Sequence, residues 1–348
     1  MNIPTEGIRY AGSKKKLIPE ILNMIPAESN YLLDAFSGTT RVAQSFKIKG
    51  YNVDSNDLAE YSKIFGNCYL LNNQNKNFYT PYIDILNNLE GIDGWFSQAY
   101  GFLSRSPFQI HNLKKLDNIL FFIENEFTEL NYLQKSILIS SLMLALDKVD
   151  NTLGHQVAYL KEWSPRSYNN IELKCPTLLY GDKQYGVLQQ DSKTIKKQYD
   201  LVYLDIPYGT NNEKYLTTRV RYKSYYHLWE SICKNDKPLL FGKNGRRLDS
   251  SDKQIGGLSD FENTDYEYVY DSIKLLCENL NTKYIIFSYN NKSKIKIKDL
   301  IDYFKNRFTL EETKKIPHKE NVQKRLTINN NFMGDESENF EYLFRIKK

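Results

Sequence analysis

Three short stretches of this chain carry side chains suited to chemistry on a nucleoside. The first is Asp205-Ile206-Pro207-Tyr208, which follows the apolar run Leu201-Val202-Tyr203-Leu204. A proline after a buried strand stiffens the exit and removes a backbone donor, leaving the Ile206 carbonyl free to accept. An acceptor carboxylate, a free carbonyl and an aromatic face so close together can grip an exocyclic amino group on a flat base. The plain alternative is a strand ending in a capped turn. The second stretch is Asp34-Ala35-Phe36-Ser37-Gly38-Thr39, a small turn that lets a ligand approach the backbone and the following helix N-terminus. The third holds Asp54 and Asp57. A carboxylate about 20 positions after such a turn is placed to accept from ribose hydroxyls, and Asp57 can also cap a helix beginning at Leu58. Turn plus carboxylate point to a nucleoside-containing ligand.

Such residues must stand at the ends of strands, because open α/β sheets bind ligands beyond the strands' carboxyl ends. The elements fit that need. Leu17, Ile18, Ile21, Leu22 and Ile25 repeat at helical spacing and stop at Pro26; Tyr31-Leu32-Leu33 reads as a strand. A helix from about Thr40 closes at Gly50, Tyr51-Asn52-Val53 is a second strand, and Leu58, Tyr61, Phe65, Cys68 and Tyr69 mark a third helix. From Leu71 to Tyr180 the signals are polar or helical, clearest over Tyr132–Val149. The Leu201 run restores a buried strand. A helix around Tyr268–Leu280, the strand Tyr284–Phe287 and an antiparallel pair, Phe308–Ile316 with Phe340–Arg345, complete the chain. Alternating strands and helices predict a doubly wound, mostly parallel α/β sheet, interrupted by a mainly helical insertion.

The chain has 348 residues, 41% hydrophobic and 26% charged, which is globular composition. Its 27 Tyr and 18 Phe supply core volume and flat rings that can stack on bases. A net charge of +5 permits a polyanionic partner without demanding one. Cys68, Cys175, Cys233 and Cys277 form no C-x-x-C pair, which argues against a disulfide framework or cysteine zinc site. The four His lack metal-ligand spacing, and no metal is expected. The N-terminus has no apolar segment, and Ile137 to Leu146, broken by Ser140 and Ser141, falls far short of the roughly 20 residues of a membrane span. The expectation is a soluble cytoplasmic protein with no membrane partner.

The order of the motifs resembles the D12-class DNA adenine-N6 methyltransferases over nearly the whole chain. Ile8-Arg9-Tyr10-Ala11-Gly12-Ser13-Lys14 looks like that family's N-terminal motif, whose aromatic and lysine help hold S-adenosylmethionine. Asp34-Ala35-Phe36-Ser37-Gly38 looks like the motif that wraps the methionine end, Asn56-Asp57-Leu58 like the ribose acid, and Gly181-Asp182 like the motif near the cofactor adenine. Asp205-Ile206-Pro207-Tyr208 stands where the family has Asp-Pro-Pro-Tyr. Asp147 to His155 and Tyr226-His227-Leu228-Trp229-Glu230 are also similar to the group.

The resemblance implies a seven-stranded methyltransferase-type sheet, with residues 1–71 and 181–348 forming the catalytic domain and 72–180 an inserted target-recognition region. It implies S-adenosylmethionine held by Tyr10, Gly12, Lys14, Asp34, Phe36, Gly38, Asp57, Asp182 and Asp205. Catalysis falls to Asp205, Ile206, Pro207 and Tyr208 on an adenine flipped from double-stranded DNA. The implied setting is a monomeric modification enzyme whose partner restriction endonuclease is a separate chain. Basic runs (Lys14–Lys16, Lys196-Lys197, Lys243 with Arg246-Arg247, Lys292 to Lys298) are candidates for backbone contacts or simply solvated faces. Tyr215, Tyr222, Tyr225 and Tyr226 read as core packing before base-pocket lining, and His155 as a turn residue. Ile206 is similar to the RNA adenine dimethylases at this point, which makes RNA the alternative substrate. Glu172-Leu173-Lys174 with Asp150 keeps a magnesium-dependent nuclease as a second rival, and a methyltransferase fold kept only for binding DNA is a third.

Overall fold

Strands form at the expected runs and also at three places where none is expected, Tyr185–Leu188, Leu240–Phe241 and Arg246–Arg247. In chain order they are β1 (Tyr31–Asp34), β2 (Asn52–Asn56), β3 (Tyr185–Leu188), β4 (Tyr199–Leu204), β5 (Leu240–Phe241), β6 (Arg246–Arg247), β7 (Thr282–Asn290), β8 (Thr309–Pro317) and β9 (Phe340–Lys347). The computed structural model describes residues 3–208, 221–251, 259–317 and 339–348. Seven strands make one sheet in the order β3-β2-β1-β4-β7-β9-β8, and β5 with β6 make a separate hairpin. The pairs β1–β4, β2–β3 and β4–β7 are parallel, while β7–β9 and β8–β9 are antiparallel. The mostly parallel α/β sheet and its closing antiparallel pair are both as expected.

By their contacts the residues divide into two units. One comprises Met1–Pro19, Ser37–Asp191 and Tyr222–Gly257; the other comprises Glu20–Phe36, Ser192–Arg221 and Leu258–Lys348.

The first unit holds β2, β3 and a large helical core. The helix Arg41–Ile48 gives way to Gly50, whose φ of +82° is the left-handed conformation in which glycine ends helices. The helix Tyr132–Val149 has the expected bounds. Its start is fixed by a capping box: Asn131 Oδ1 accepts from Gln134 N at 3.0 Å, and Gln134 Oε1 accepts from Asn131 N at 2.9 Å. Ile137, Leu138, Leu142, Met143 and Leu146 are fully buried, in one core with Ile64, Phe65, Tyr69, Leu113, Leu116 and Trp229. The serines that interrupt this helix are buried too, because each finds a partner. Asn67 Nδ2 donates to Ser136 Oγ at 3.0 Å, Ser140 Oγ donates to the Ile64 carbonyl at 3.4 Å, and Ser141 Oγ donates to the Lys174 carbonyl at 2.8 Å.

In the second unit β4 is an apolar run with Leu201, Val202, Tyr203 and Leu204 all buried, as a parallel strand covered on both faces requires. At the sheet's edge β8 alternates exposed and half-buried residues and carries Glu311, Glu312, Lys314 and Lys315, charges that discourage edge-to-edge pairing. The helix Tyr266–Asn279 begins at Asp265, whose side chain accepts from Tyr268 N at 2.9 Å. Among the described residues no helix is long and apolar enough to cross a membrane.

Candidate active site

In the first unit the Ser37-Gly38 turn is stitched to the end of β2. Ser37 N donates to the Asn56 carbonyl at 2.9 Å, Asn56 N donates to Ser37 Oγ at 3.1 Å, and Gly38 N donates to Asp57 Oδ2 at 2.8 Å. Gly38 has φ +50°, and a Cβ there would stand 2.9 Å from the Tyr10 ring, so both conformation and space demand glycine. Asp57 Oδ1 accepts from Ala59 N at 3.0 Å. The helix therefore begins at Glu60 with Ala59 as its N-cap, which corrects the expected cap of a helix starting at Leu58. Leu58 is instead 67% exposed beside Asp57. Burial raises the Asp57 carboxyl above its ordinary range, against the pull of the backbone N–H groups of Ala59 and Gly38; the Glu230 charge raises it further.

Tyr10 lies in a nest of tyrosines. It stacks on Tyr226 at 4.3 Å between centroids and 16° between planes, and its hydroxyl is 3.1 Å from that of Tyr61. Tyr226 Oη accepts from Ala11 N at 2.6 Å, and Tyr222 Oη donates to the Ala11 carbonyl at 3.2 Å. Gly12 has φ +77°, and a Cβ on it would meet the Tyr222 hydroxyl at 3.0 Å. Lys14 is 7% exposed, whereas Lys15 and Lys16 face solvent. Arg9 anchors this segment: its backbone N donates to Asp147 Oδ2 at 3.0 Å and its guanidinium pairs with Asp150.

Asp182 is exposed and precedes β3, whose first residue, Tyr185, is paired with Val53 near the start of β2. Asp57 follows the other end of β2. At about 3.3 Å per residue, nearly a full strand length separates the two. The chain leaving β3 reaches the Asp57 end instead: Gln190 N donates to Asn56 Oδ1 at 3.2 Å, and Asn56 Nδ2 donates to the Gln190 carbonyl at 3.1 Å. Asp191 is the next residue. The signal for it is the short apolar pair Val187-Leu188 ahead of it.

In the second unit Asp34 is buried at the carboxyl end of β1, in register with Tyr203 of β4, and Phe36 packs edge-on against Phe261 at 5.6 Å. Asp205-Ile206-Pro207-Tyr208 leaves the carboxyl end of β4. Ile206, where the family has proline, is 2% exposed, so packing absorbs its side chain. Tyr208 Oη donates to Asp205 Oδ1 at 2.8 Å and stands 2.6 Å from Glu341 Oε1. Burial, then the Asp205 and Glu341 charges, hold the Tyr208 phenol well above its usual range. The Tyr208 ring meets Tyr289 edge-on at 5.1 Å. Glu341 and Ser288, 2% and 0% exposed, do not figure among the expected site residues.

Tyr226 is fully buried, and Tyr225 lies against His155 at 4.7 Å, in keeping with the core-packing reading; Tyr215 falls outside the described residues. The Asp150–Gly154 turn is held by Thr152 Oγ1, which accepts from Gly154 N at 2.9 Å, so His155 contributes ring packing and not the turn's hydrogen bond. Arg247 is not available to a DNA backbone: it is 4% exposed and makes 2.7 Å bonds to both carboxylate oxygens of Asp236. Of the nuclease candidates, Asp150 is buried and held by Arg9 and Arg166, and Glu172 pairs with Lys174 at the surface. Among the described residues no group of three or more His, Cys, Asp or Glu can hold a metal ion.

A family model of D12 class N6 adenine-specific DNA methyltransferases matches residues 10–285. The chain belongs to that family. It is 32% identical to modification methylase StsI of Streptococcus sanguinis, over 98% of this chain and 52% of that protein. It is 28% identical to modification methylase LlaI of Lactococcus lactis subsp. lactis, over 85% of this chain and 48% of that protein. The chain thus spans about half the length of these two relatives. Type II methyltransferase M.NlaIII of Neisseria lactamica is 27% identical, over 90% of this chain and 96% of that protein.

Proposed function

We propose that this chain transfers a methyl group from S-adenosylmethionine to N6 of adenine in double-stranded DNA, as the modification activity of a restriction-modification system. The observation that carries the reading is Asp205-Ile206-Pro207-Tyr208 at the carboxyl end of β4, with the Asp205 carboxylate and the Tyr208 phenol hydrogen-bonded, in a chain of this family.

The residues of the first unit suit a nucleoside cofactor. Gly38 leaves no space for a Cβ against Tyr10, the Asp57 carboxylate suits ribose hydroxyls, and exposed Leu58 offers an apolar face for a flat base. S-adenosylmethionine, when bound, supplies an electrophilic methyl group. Tyr10, Gly12, Lys14, Gly38 and Asp57 would hold it. At the adenine end Asp191, which leaves β3 beside Asn56, takes the role expected of Asp182.

A target adenine must leave the duplex, at a cost of a few kcal/mol in lost pairing and stacking. Asp205 and the Ile206 carbonyl accept its N6 hydrogens, which draws the nitrogen lone pair out of the ring plane. Tyr208 offers a ring face. The main contribution is alignment of the two reactants. The helical segment 72–180 is the proposed reader of sequence, the proposed state is monomeric, and the partner endonuclease is a separate chain.

Tritium transfer from labelled S-adenosylmethionine to unmethylated genomic DNA and to total RNA, with Asp205→Ala as control, tests this. Label on DNA as N6-methyladenine, lost in the variant, is the expected result. Label on RNA alone moves the substrate to the reading that Ile206 favours.

A further inference from the structure

The hairpin β5–β6 follows residues 205–208 in the chain, yet it belongs to the first unit and packs on segment 72–180. Two residues per strand cannot hold a hairpin by themselves in water, so its neighbours fix it. Tyr100 Oη donates to the Gly245 carbonyl at 3.0 Å, and Asn244 Nδ2 donates to the Val157 carbonyl at 2.8 Å. Gly245 has φ +60°, and a Cβ there would stand 3.1 Å from the Tyr100 ring and 3.4 Å from Leu103. Asn151 N donates to the Pro107 carbonyl at 2.7 Å, and Leu160 N donates to the Asn151 carbonyl at 3.0 Å. The hairpin tip, the loop 101–107 and the turn 151–160 are thus one locked assembly.

What this assembly shows to solvent is cationic and apolar. Lys243 at the tip, Arg105 in the loop and Lys161 after the turn are exposed, and among the described residues none of them is in an ion pair. Arg246, half-buried, lies over the Phe241 ring at 4.6 Å. Phe102 is 87% exposed, the most exposed large hydrophobic side chain among the described residues. Segments 101–107, 151–161 and 239–247 contain no Asp or Glu. The acids that border them are taken up, Asp150 by Arg9 and Arg166 and both Asp236 and Asp249 by Arg247, which leaves Glu162 beside Lys161. Fixed cations without carboxylate partners suit a polyanion, and an exposed ring among them suits one with apolar surface of its own. A duplex offers both, in its phosphates and in its sugars and base edges.

We infer that the β5–β6 hairpin and the loop 101–107 form a docking face for double-stranded DNA, with Lys243 and Arg105 on phosphates and Phe102 against sugars and base edges. The inference rests on the methyltransferase reading above. It extends the DNA-contacting surface beyond segment 72–180 to a hairpin that the chain supplies only after residues 205–208. Because Tyr100 and Asn244 already hold the hairpin tip, Lys243 is presented without a loop having to be ordered on binding.

Binding of a fluorescently labelled mixed-sequence duplex to the full chain, followed by anisotropy across a range of salt concentrations, tests this. Each phosphate contact contributes about 0.9 to the slope of log affinity against log salt. Lys243→Ala and Arg105→Ala should each lower the slope by about that much. Phe102→Ala should weaken binding about fivefold at every salt concentration with the slope unchanged, since apolar contact releases no counterions. Lys49→Ala, which removes an exposed lysine outside these segments, should change neither. Unchanged melting temperatures show that all four variants are folded. Undiminished slopes in Lys243→Ala and Arg105→Ala, wild-type affinity in Phe102→Ala, an equal loss in Lys49→Ala, or losses confined to double-stranded RNA of the same sequence would each overturn the inference. A wild-type chain that gives the expected slopes but transfers no methyl group to DNA would instead sink the methyltransferase reading and leave the docking face standing.

Discussion

Gly38 N donates to Asp57 Oδ2 at 2.8 Å, so the turn and the carboxylate proposed for the cofactor fix each other before any ligand arrives. The bond requires Gly38 to hold φ +50° against the Tyr10 ring. Gly38→Ala adds a methyl 2.9 Å from that ring and a left-handed backbone penalty of about 1–2 kcal/mol. The expected outcome is a lower melting temperature and a larger loss of S-adenosylmethionine affinity, read by calorimetry on the same samples. Undiminished affinity would show that the turn and Asp57 are not coupled to the ligand.

Tyr226 contributes a ring and a hydroxyl, and the two are separable. Its ring stacks on Tyr10, while its hydroxyl accepts from Ala11 N at 2.6 Å. Tyr226→Phe keeps the stack and strands the Ala11 donor, at a cost of about 1–3 kcal/mol. Tyr226→Ala also empties a fully buried site, for about 3–5 kcal/mol by analogy with other large aromatic truncations. Denaturant melts of both variants should show this ranking; equal losses would mean that the ring adds nothing beyond its hydroxyl.

Asp150 is a buried carboxylate held by two arginines, Arg9 and Arg166, whose side chains are 36% and 37% exposed. Asp150→Ala removes the shared anion, but both guanidiniums can reach water. The cost should therefore fall below the 3–5 kcal/mol or so of a fully buried broken pair, at about 1–3 kcal/mol. Because Arg9 precedes Tyr10, cofactor affinity should fall as well. Melting and cofactor titration of Asp150→Ala measure both, and a stability loss with full affinity would confine the network to a structural role.

What was legible in the sequence follows from how each element buries its residues. β4 is readable because a strand covered on both faces needs an unbroken apolar run, Leu201–Leu204. The helix Tyr132–Val149 is readable from its length and apolar content. The start of the helix at Glu60 is not, since it depends on Asp57 binding Ala59 N instead of capping. Glu341 is hidden by its place in β9: alternation with Phe340 and Tyr342 says nothing about the hydroxyls of Tyr208 and Ser288 that it meets. Tyr226 shares the spacing of ordinary core aromatics, and only the pairing with Tyr10 separates it from them.

His227 makes stability fall in acid. It is fully buried, its Nε2 lies 3.0 Å from the Gln156 carbonyl, and burial pushes its pKa down from 6.5 to about 4. The unfolded chain binds the proton more readily than the folded one. Its contribution is therefore complete above pH 6.5 and is lost progressively as pH falls from there toward about 4. At full extent the loss is about 3 kcal/mol. In His227→Gln this component should vanish, so the variant's melting temperature should decline less between pH 7 and pH 4.5 or so than the wild type's. Parallel declines would place the acid sensitivity elsewhere.

Asp182 and Asp191 bracket β3, and only one can serve a ligand at the Asp57 end of β2. Tyr185 pairs with Val53 and Leu188 with Asn56, so the residues before β3 lie at the start of β2 and those after it lie beside Asp57. The Gln190–Asn56 bonds tie that second end in place. Asp191→Ala should weaken S-adenosylmethionine binding by about tenfold, equivalent to about 1.4 kcal/mol for one lost polar contact, while exposed Asp182→Ala should leave it unchanged. Calorimetric titration of both variants decides the matter. The reverse result would mean that the ligand spans the length of the strand, and would return the adenine-proximal role to Asp182.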